Sequence, residues 1–552
     1  MFVKRVKRPN NSTSIQIVEN RRVGEHVVQK VIRHMGQYVN ENEIERVASL
    51  AETLIVEMKN SERPALPGLE ELMHTPAKKK TTSEDDMVSV KGLKEEKRIN
   101  RGIEDVFGAT FEQLDLFNSL NTGYKQDESN QILKEVVLAR LSLPVSKRKT
   151  AKVLDLDKDV QIPLEKIYRM MDKVFVGEKE IKKKISDSTL GLFAQKVDVA
   201  FFDVTTLYFE SFTPDELRNF GFSKDNKFKE TQVMLALITT TEGLPLGYEL
   251  FPGNTYEGNT LIKVIDDVRE NYDISNTFII ADRAMFTRDN LNALDERNVK
   301  FIVAAKLKTL NQTKKNEIVG ELQAALKENS EIEKWQKDFE YEGRRLVVSY
   351  DKKRANKDKH DRERLVERIK KKMKDGKVRL ADLINNTGTK KYLTIEKKGS
   401  KEATLNESKI ASEERWDGIH GVITNHCGTD LSSVEILIKY RELWQIEAAF
   451  RVNKHDLKMR PIFHWKSSRI RAHILICFMA YSVAAHVRYR LQKSHIKLSF
   501  EEIRDELNRL QVSIVRDEKS GMKFSLPSKI TKNQRQIYQV LGLKIDQKTK
   551  IL

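Results

Sequence analysis

The chain has 552 residues, of which 39% are hydrophobic and 33% are charged, and its formal net charge is +18. Its length is too great for one hydrophobic core, so we expect about three or four domains. The basic excess indicates a polyanionic partner, most simply nucleic acid, although abundant surface lysines on a soluble protein would give the same charge. The two cysteines, Cys427 and Cys477, have no CxxC spacing. They exclude a disulfide framework and indicate a reducing, cytoplasmic environment.

Residues 1–60 are predicted to form a small β-meander followed by a helix. Short apolar bursts within residues 1–36 are separated by the turn-forming sequence Pro9-Asn10-Asn11. Apolar residues then recur at helical spacing from about Glu41 to Met58. The predicted apolar face consists of Ile44, Val47, Leu50, Leu54 and Ile55.

The next two segments are predicted to be a linker over residues 61–102 and a helical domain over residues 103–195. The linker contains three prolines and the polar run KKKTTSEDD. Patterns such as NQILKEVVLARL and PLEKIYRMMDKVF indicate helices in the second segment. Small helical domains of this kind often bind DNA, but a purely structural role fits the pattern equally well.

An α/β sheet is predicted from residue 196 onward, with its first part over residues 196–309. The run VDVAFFDVTTLYFES is apolar and β-branched, and QVMLALITTTEGLPLGYELFPG divides into two strands. A helical pattern, TLIKVIDDVREN, precedes two further strands, TFIIADRA and FIVAAKLK. Strands that alternate with helices indicate an α/β fold.

A highly charged segment over residues 310–432 interrupts this order and is predicted to be an insertion domain. Its run KKRANKDKHDRERLVERIKKKMKDGK is more typical of a solvated helix than of a DNA contact. Later pieces of the segment, such as KYLTIEKK and HGVITNH, have the pattern of strands.

Residues 433–495 are predicted to complete the core with two helices, at about 433–456 and 467–492. The apolar stretch ILICFMAYSVAAHV in the second helix is shorter than the roughly 20 residues of a membrane span. We therefore expect a buried helix and no membrane partner. Residues 496–552 are predicted to be a helical tail, with one helix near 499–511 and an irregular end.

Two aspartates occupy unusual positions in the predicted sheet. Asp203 lies inside the apolar strand FFDVTT, and Asp282 ends the apolar strand TFIIADR. A carboxylate at such a place is unfavourable unless a metal ion or a structural hydrogen bond compensates for the lost hydration. For either aspartate alone, the structural hydrogen bond is the better explanation. Two such residues in one α/β unit favour shared cations, because neighbouring strands bring their carboxylates together.

Paired carboxylates are what metal-dependent phosphodiester chemistry requires. Two Mg²⁺ ions about 3.5–4 Å apart can activate an attacking oxygen and stabilise the leaving oxygen. Such hard cations prefer carboxylate oxygens as ligands. A third acid is expected later in the chain, in the helix IKYRELWQIEAAFRVNKHDLKMRPIFHW.

One face of that predicted helix carries an acid together with a phenol and basic groups. Tyr440, Glu447 and Lys454 are seven residues apart, so they drift by only about 20° per step around a regular helix. Arg451 lies one turn beyond Glu447, and a simple ion pair on an exposed helix is the alternative explanation. Apolar residues on the other sides of the helix indicate burial, which favours a functional site.

These segments together resemble DDE transposases of bacterial insertion sequences. Asp203 in FFDVTTLYFES, Asp282 in IIADRAMFT and the Glu447 helix have the order found in the IS-four superfamily, which is marked by Y-(2)-R-(3)-E-(6)-K. Tyr440, Glu447 and Lys454 match three of the four marked positions. WDGIHGVITN is similar to the strand that precedes the glutamate helix in this group. The resemblance covers about residues 200–490.

The resemblance implies an RNase H-like catalytic domain that is interrupted by a largely β insertion domain. It also implies that Asp203, Asp282 and Glu447 are the catalytic metal ligands, with two Mg²⁺ ions per site, and that Mn²⁺ could substitute. The implied reaction is cleavage at the ends of an insertion sequence, followed by joining of the 3′ hydroxyls to target DNA. The expected partners are double-stranded DNA and a second copy of the chain, because transposition must pair two ends.

The resemblance further implies that Tyr440 and Lys454 bind backbone phosphates. Leu443 stands where the family has an arginine, so one phosphate contact is missing from the motif. We hypothesise that Arg451 replaces it, because it lies within about 40° of Glu447 around a regular helix.

Two other functions remain open from the sequence. One is an RNase H-like DNA nuclease that cuts without joining, and the other is a DNA-binding protein descended from a transposase that has lost catalysis. The presence of all three acids, Asp203, Asp282 and Glu447, argues against the second alternative.

Overall fold

The computed structural model describes residues 1–9, 12–23, 26–62, 92–120, 126–192, 199–210, 213–221, 229–271, 277–373, 377–379, 389–394, 402–428 and 431–552. The chain divides into two compact units, Met1–Val88 and Ser89–Leu552. Most of the predicted linker, residues 63–91, lies outside the described residues, as do Asn10 and Asn11 of the predicted turn.

The smaller unit is a three-stranded antiparallel sheet with one helix packed on it. Strands β1 (Phe2–Lys7), β2 (Thr13–Val23) and β3 (His26–Tyr38) are hydrogen bonded in that order, and helix α1 (Glu41–Glu62) follows. The predicted meander and helix are therefore present. Leu50, however, is 54% exposed, so its predicted place on the apolar face is wrong. The small residues Ala48 and Ala51 occupy the buried face instead.

The larger unit contains the remaining strands and helices. The strands are β4 (Leu93–Asn100), β5 (Val199–Tyr208), β6 (Gln232–Thr240), β7 (Pro245–Pro252), β8 (Phe278–Ala281), β9 (Phe301–Ala304), β10 (Lys334–Tyr341), β11 (Arg344–Asp351), β12 (Lys377–Arg379), β13 (Leu393–Thr394), β14 (Glu402–Leu405), β15 (Ile419–Thr424), β16 (Gln511–Asp517), β17 (Lys523–Pro527) and β18 (Lys550–Ile551). The helices are α2 (Ala109–Gln113), α3 (Gln126–Ser142), α4 (Lys147–Lys158), α5 (Leu164–Val176), α6 (Glu178–Leu190), α7 (Leu261–Asn271), α8 (Arg288–Glu296), α9 (Gln312–Glu328), α10 (Lys352–Lys370), α11 (Glu407–Glu414), α12 (Ser433–Arg441), α13 (Trp444–Arg451), α14 (Ser467–Lys493), α15 (Phe500–Arg509) and α16 (Lys532–Leu541).

A large mixed sheet forms the centre of this unit, as the α/β prediction requires. Its strand order is β10-β11-β15-β9-β8-β5-β6-β7. Strands β5, β8 and β9 are parallel to one another, and the other neighbouring strands are antiparallel. The central strands are buried on both faces, which explains why they read as continuous apolar runs; all nine residues of β6 are buried.

The segment predicted to be a largely β insertion domain has a different arrangement. Its strands β10, β11 and β15 extend the main sheet, and the described part of the segment also contains helices α9, α10 and α11. Strands β12, β13 and β14 form a separate small sheet. Pairing of β11 and β15 with the main sheet buries residues such as Leu346 and Ile423 in the common core, so this part of the segment is not an independent β domain.

Helix α14 is the buried helix that the sequence predicts. By length and composition it is apolar enough to cross a membrane, but 94% of its most apolar stretch is buried inside the protein. Its apolar residues lie on all sides, as expected for a helix that other elements surround. It packs against α3, α5, α6 and β7, and it therefore serves as the central helix of the core on one face of the sheet.

The end of the chain is more regular than predicted. After α15, strands β16, β17 and β18 form a four-stranded antiparallel sheet with β4, and α16 follows β17. The irregular tail is therefore a wrong prediction, and residues 93–100 of the predicted linker form a strand. Gln511 pairs with Asn100 across the sheet; local sequence patterns do not show a pairing between residues so far apart.

Candidate active site

The two predicted aspartates occupy adjacent positions on neighbouring parallel strands. Phe202 of β5 pairs with Ala281 of β8, so the next residues, Asp203 and Asp282, are level with each other. The backbone of Asp282 remains extended, with φ −73° and ψ 167°, and this keeps it in line with β8. Neighbouring strands lie about 4.8 Å apart, so the two carboxylates can approach the same cation.

Both aspartates lie on the sheet face that carries the central helix. Side chains alternate between faces along a strand, so Asp203 shares a face with Phe201, and Asp282 shares it with Ile280. Phe201 and Ile280 belong to the same hydrophobic core as α14 and α13. Helix α13, which carries Glu447, packs against β5. The strand alternation and this packing bring the elements that carry all three acids together on one face.

The glutamate helix is broken, which contradicts the single helix predicted over residues 433–456. Helix α12 begins at a capping box formed by Ser432 and Glu435 and ends at Arg441, whereas α13 begins at Trp444. At the break, the amide of Leu443 donates to the carbonyl of Tyr440 at 3.1 Å, three residues back. A π-helical turn, Val452–Asp456, then follows α13. The seven-residue stripe predicted for a regular helix therefore does not run unbroken from Tyr440 to Lys454.

The break has a physical cause at the position of the family arginine. Leu443 is partly buried and packs against the core beneath the helices. An apolar side chain at this point gains free energy by turning inward, and a backbone turn of the tighter 3₁₀ type allows it to do so. In this chain, Leu443 is therefore a core contact.

Glu447 and Arg451 both lie on the exposed side of α13. Within the described part of the chain they form no ion pair with each other, so the alternative explanation of a surface ion pair is not supported. Lys454 is half-buried in the π-helical turn.

A cleft of about 490 Å³ opens beside Asp282. It lies beyond the carboxyl ends of β8 and β9, and Tyr440 at the end of α12 forms part of its wall. Four basic side chains line the same cleft; these are Arg283, Lys306, Lys308 and Arg354. Of the predicted site residues, Asp282 and Tyr440 line this cleft. The described lining does not include Asp203, Glu447, Arg451 or Lys454.

The electrostatics of Tyr440 place its phenol near both aspartates. Burial raises the pKa of Tyr440, and the negative charges of Asp282 and Asp203 raise it further. The phenol therefore keeps its proton and can donate a hydrogen bond. Its ring lies against His420 of β15, with 5.2 Å between ring centroids. Burial, together with the charges of Arg354 and Arg283, lowers the pKa of His420 to about 4, so this imidazole is neutral at neutral pH.

The carboxylates fit a metal site only in part. The paired positions of Asp203 and Asp282 suit a shared hard cation, because carboxylate oxygens are its preferred ligands. However, no group of three His, Cys, Asp or Glu side chains among the described residues is placed to hold one metal ion. Asp203 also accepts a hydrogen bond from the amide of Val204 at 2.7 Å. The strand register therefore brings the two aspartate positions side by side, whereas Glu447 does not complete a set of three ligands among the described residues.

Several cleft residues are absent from the sequence-based set of site residues. Arg283 directly follows Asp282 in the chain, so its position next to a predicted metal ligand could have identified it as a site residue. His420 lies in WDGIHGVITN. The resemblance predicts a strand there but no site residue. Arg354 belongs to the charged run for which the sequence predicts a solvated helix. Most of α10 is exposed, but its first turn contributes the Arg354 side chain to the cleft.

Part of the chain matches a known protein family. A family profile described as "Transposase DDE domain" matches residues 195–483, a range that includes Asp203, Asp282 and Glu447. No curated protein matches the chain significantly. A cryo-EM structure of a piggyBac transposase synaptic complex with hairpin DNA aligns over 74% of this chain and 76% of that chain, with 9% identity and a TM-score of 0.36.

Proposed function

The chain belongs to the DDE transposase family, and from this premise we propose that it cleaves insertion-sequence ends and joins their 3′ hydroxyls to target DNA. The observation that carries the proposal is the register of two parallel strands, in which Phe202 pairs with Ala281 and the next residues are Asp203 and Asp282. The helix that bears Glu447 packs against the first of these strands. Acids contributed by three separate elements to one face of a sheet are the arrangement that metal-dependent phosphoryl transfer needs.

We further propose that the catalytic part has an RNase H-like arrangement. The strand order β7-β6-β5-β8-β9 supports it, because an antiparallel three-stranded meander continues into two parallel strands. In this arrangement the first acid lies on the central strand and the second lies on its parallel neighbour. The segment between β9 and α12 then adds three strands to the edge of the sheet.

Asp203, Asp282 and Glu447 are proposed to hold two Mg²⁺ ions, for which Mn²⁺ could substitute. When bound, such ions lower the pKa of the attacking oxygen and stabilise the charge on the leaving oxygen. Glu447 must reorient to join the two aspartates. Its side chain is exposed on α13, and none of the residues that the structure describes holds it in place.

The role proposed for Tyr440, Lys454 and Arg451 is to hold the DNA backbone around the scissile phosphate. Tyr440 is protonated and beside Asp282, so it can donate a hydrogen bond to a phosphate oxygen. Arg283 and Arg354 add positive charge on the same wall of the cleft. Guanidinium groups suit this role, because they can bind two phosphate oxygens at once.

The partners proposed are the terminal inverted repeats of the element, the target DNA and a second copy of the chain. Two ends must be cut and joined together, and a dimer on DNA satisfies that requirement. The large positive net charge of +18 supports DNA as the partner. The proposed place of action is the bacterial nucleoid in the cytoplasm.

A joining assay with pre-cleaved ends tests the function. The DNA flanking the gene supplies the candidate inverted repeats, and the full chain is incubated with these ends, a target plasmid and Mg²⁺. We expect joined products that depend on correct ends and on the divalent ion. Cleavage of uncut ends without any joining would support the RNase H-like nuclease instead. DNA binding with neither cleavage nor joining would support the catalytically inactive DNA-binding protein.

A further inference from the structure

A second cleft, separate from the one beside Asp282, is lined by basic side chains from distant parts of the chain. We call it the basic cleft; its volume is about 250 Å³. Its basic side chains are Arg140, Lys147, Arg148, Lys458 and Arg460. His464 and His473 also line it, and none of its described lining residues is acidic. Such a concentration of one sign of charge in a confined space favours an anionic ligand.

Lys147 is the most unusual member of the basic cleft. Its side chain is almost completely buried, at 3% exposure, and its Nζ atom has no hydrogen-bond partner. Burial and the nearby charge of Arg140 lower the pKa of this ammonium group to about 7. A buried cation without a partner destabilises a fold. An anionic ligand in the cleft would remove this penalty, because it would supply the missing partner.

The backbone at Lys147 adds to the attraction for an anion. Lys147 is the first residue of the twelve-residue helix α4, and the side chain of Ser146 caps that helix by accepting from the amide of Lys149. Helix N-termini attract anions, because free amides and the helix dipole point toward them. The helix N-terminus and the unpartnered ammonium group therefore favour the same ligand chemistry.

The opposite wall of the basic cleft is held in place by a second buried cation. Arg140 of α3 is 4% exposed, and it donates to the carbonyl oxygen of Leu457 at 3.3 Å. This contact joins the helical region to the segment that follows the glutamate helix. The cleft is thus a built feature with defined walls, and its lining does not depend on exposed lysines alone.

The basic cleft also lies on the path of the chain that leaves the candidate active site. Its wall follows directly after the π-helical turn that contains Lys454. Arg460 stacks over the ring of Tyr208 on β5, with 5.3 Å to the ring centroid, and Ile462 forms a parallel bridge with Phe209. The wall therefore runs beside the end of the strand that carries Asp203, so a DNA strand bound at the active site can extend into the cleft.

From these observations we infer that the basic cleft binds a phosphate of the DNA backbone, with Lys147 as its central ligand. This inference rests on the proposed function, because it assigns a further contact to the same DNA. A phosphodiester oxygen would accept from Lys147 Nζ and from Arg148, while Lys458 and Arg460 would neutralise the remaining charge. Free inorganic phosphate could bind through the same groups. Measurements of DNA affinity and of melting in phosphate distinguish the DNA backbone from free phosphate as the ligand.

The test compares Lys147→Met with Lys152→Met in the full chain. Lys152 is an exposed lysine on the same helix and does not line the basic cleft. Affinity for a duplex that carries an element end is measured over a range of salt concentrations. We expect Lys147→Met to bind about tenfold more weakly and to lower the slope of log affinity against log salt by about one, with little change for Lys152→Met. The DNA-free Lys147→Met protein should melt at the same temperature or higher, because a buried unpaired charge is removed.

A second variant keeps the inference testable if Lys147→Met does not fold correctly. Lys458 is exposed and has a positive φ of 45°, a conformation that asparagine tolerates. Lys458→Asn should weaken DNA binding in the same way without disturbing the fold. If both variants bind the duplex as tightly as the unmodified chain, while that chain still cleaves DNA, the inference fails and the proposed function stands. If the unmodified chain does not bind duplex DNA, both fail.

A third measurement tests whether the basic cleft binds free inorganic phosphate. Melting temperatures are measured in phosphate and in chloride at equal ionic strength. A site for free phosphate would raise the melting temperature of the unmodified chain but not of Lys147→Met, with DNA affinity unchanged in both, and that result would overturn the assignment to DNA. Loss of DNA affinity in Lys147→Met supports it.

Discussion

Asp203 and Asp282 are level with each other on two parallel strands, because the residues before them, Phe202 and Ala281, pair directly. Asp203 is half-buried within β5, and Asp282 is exposed just beyond the end of β8. Adjacent positions on neighbouring strands let two carboxylates share one hard cation. The two aspartates are therefore the first residues of the site to test by substitution.

Asp203→Asn and Asp282→Asn should each abolish DNA cleavage without unfolding the protein. The expected loss is at least about 10³-fold, because the charge stabilisation supplied by a metal site is worth several kcal/mol. The double variant should be no worse than either single variant, since both remove the same site. Cleavage of an end-containing duplex measures this. Asp289→Asn, at an exposed carboxylate in α8, is the matched control; substantial cleavage by either single site variant would refute the pairing.

Glu447→Gln should leave the stability unchanged and remove the activity. The side chain is exposed on α13, and surface substitutions usually alter the free energy of unfolding by less than about 0.5 kcal/mol. A large loss of cleavage with an unchanged melting temperature would identify Glu447 as a ligand. Glu442→Gln, at the break between α12 and α13, provides the comparison. Equal activities for the two variants would exclude Glu447 from the site.

Arg451→Ala should lower strand transfer about tenfold if Arg451 replaces the phosphate contact that Leu443 cannot make. This magnitude corresponds to one charge-assisted hydrogen bond. Lys454→Ala should cause a similar loss, and Arg441→Ala, another exposed arginine near the break, should have a smaller effect. Full strand transfer by Arg451→Ala, with loss in Lys454→Ala, would show that another group fills the place of the family arginine. Joining of pre-cleaved ends is the measurement.

Tyr440→Phe should weaken DNA binding about tenfold, because it removes one hydrogen-bond donor to a charged phosphate. The fold should be unaffected, since the ring that packs against His420 remains. The raised pKa of Tyr440 adds a second expectation: binding should show no loss near pH 10 from ionisation of this phenol. Tyr256→Phe, at a 56% exposed tyrosine, is the control. A binding step near pH 10 that disappears in Tyr440→Phe would contradict the assignment.

Acid should destabilise the larger unit between about pH 6.5 and pH 4. Burial lowers the pKa values of His420, His464 and His486 from 6.5 to about 4. In this window the unfolded chain binds protons that the folded chain does not, so stability falls as pH falls. The melting temperature should drop steadily from pH 7 to pH 4.5, and less steeply for His486→Gln. His360→Gln, at an exposed position, should follow the unmodified chain; an identical slope for His486→Gln would contradict this cause.

Local sequence patterns identified most elements of this protein, because strand and helix periodicities depend on neighbouring residues. The apolar runs around Asp203 and Asp282 indicated buried strands, and the composition of α14 indicated a buried helix; the structure has both. The same reasoning gave one regular helix over residues 433–456, and the structure breaks it at Leu443. Periodicity describes an isolated helix, whereas the core contact of Leu443 is a tertiary interaction that competes with it.

The sequence by itself determined that one acid lies within a buried strand and a second at the end of another. It also determined that a third acid follows on a helix, and that the order of all three resembles that of a transposase family. Only the tertiary structure decided the register that makes Asp203 and Asp282 neighbours, the pairing of β4 with β16, and the extension of the sheet by β10 and β11. It also brought Arg140 and Lys147 to the segment after Leu457. These contacts join residues far apart in the chain, and their stability comes from burial and pairing of the whole unit, which no local pattern contains.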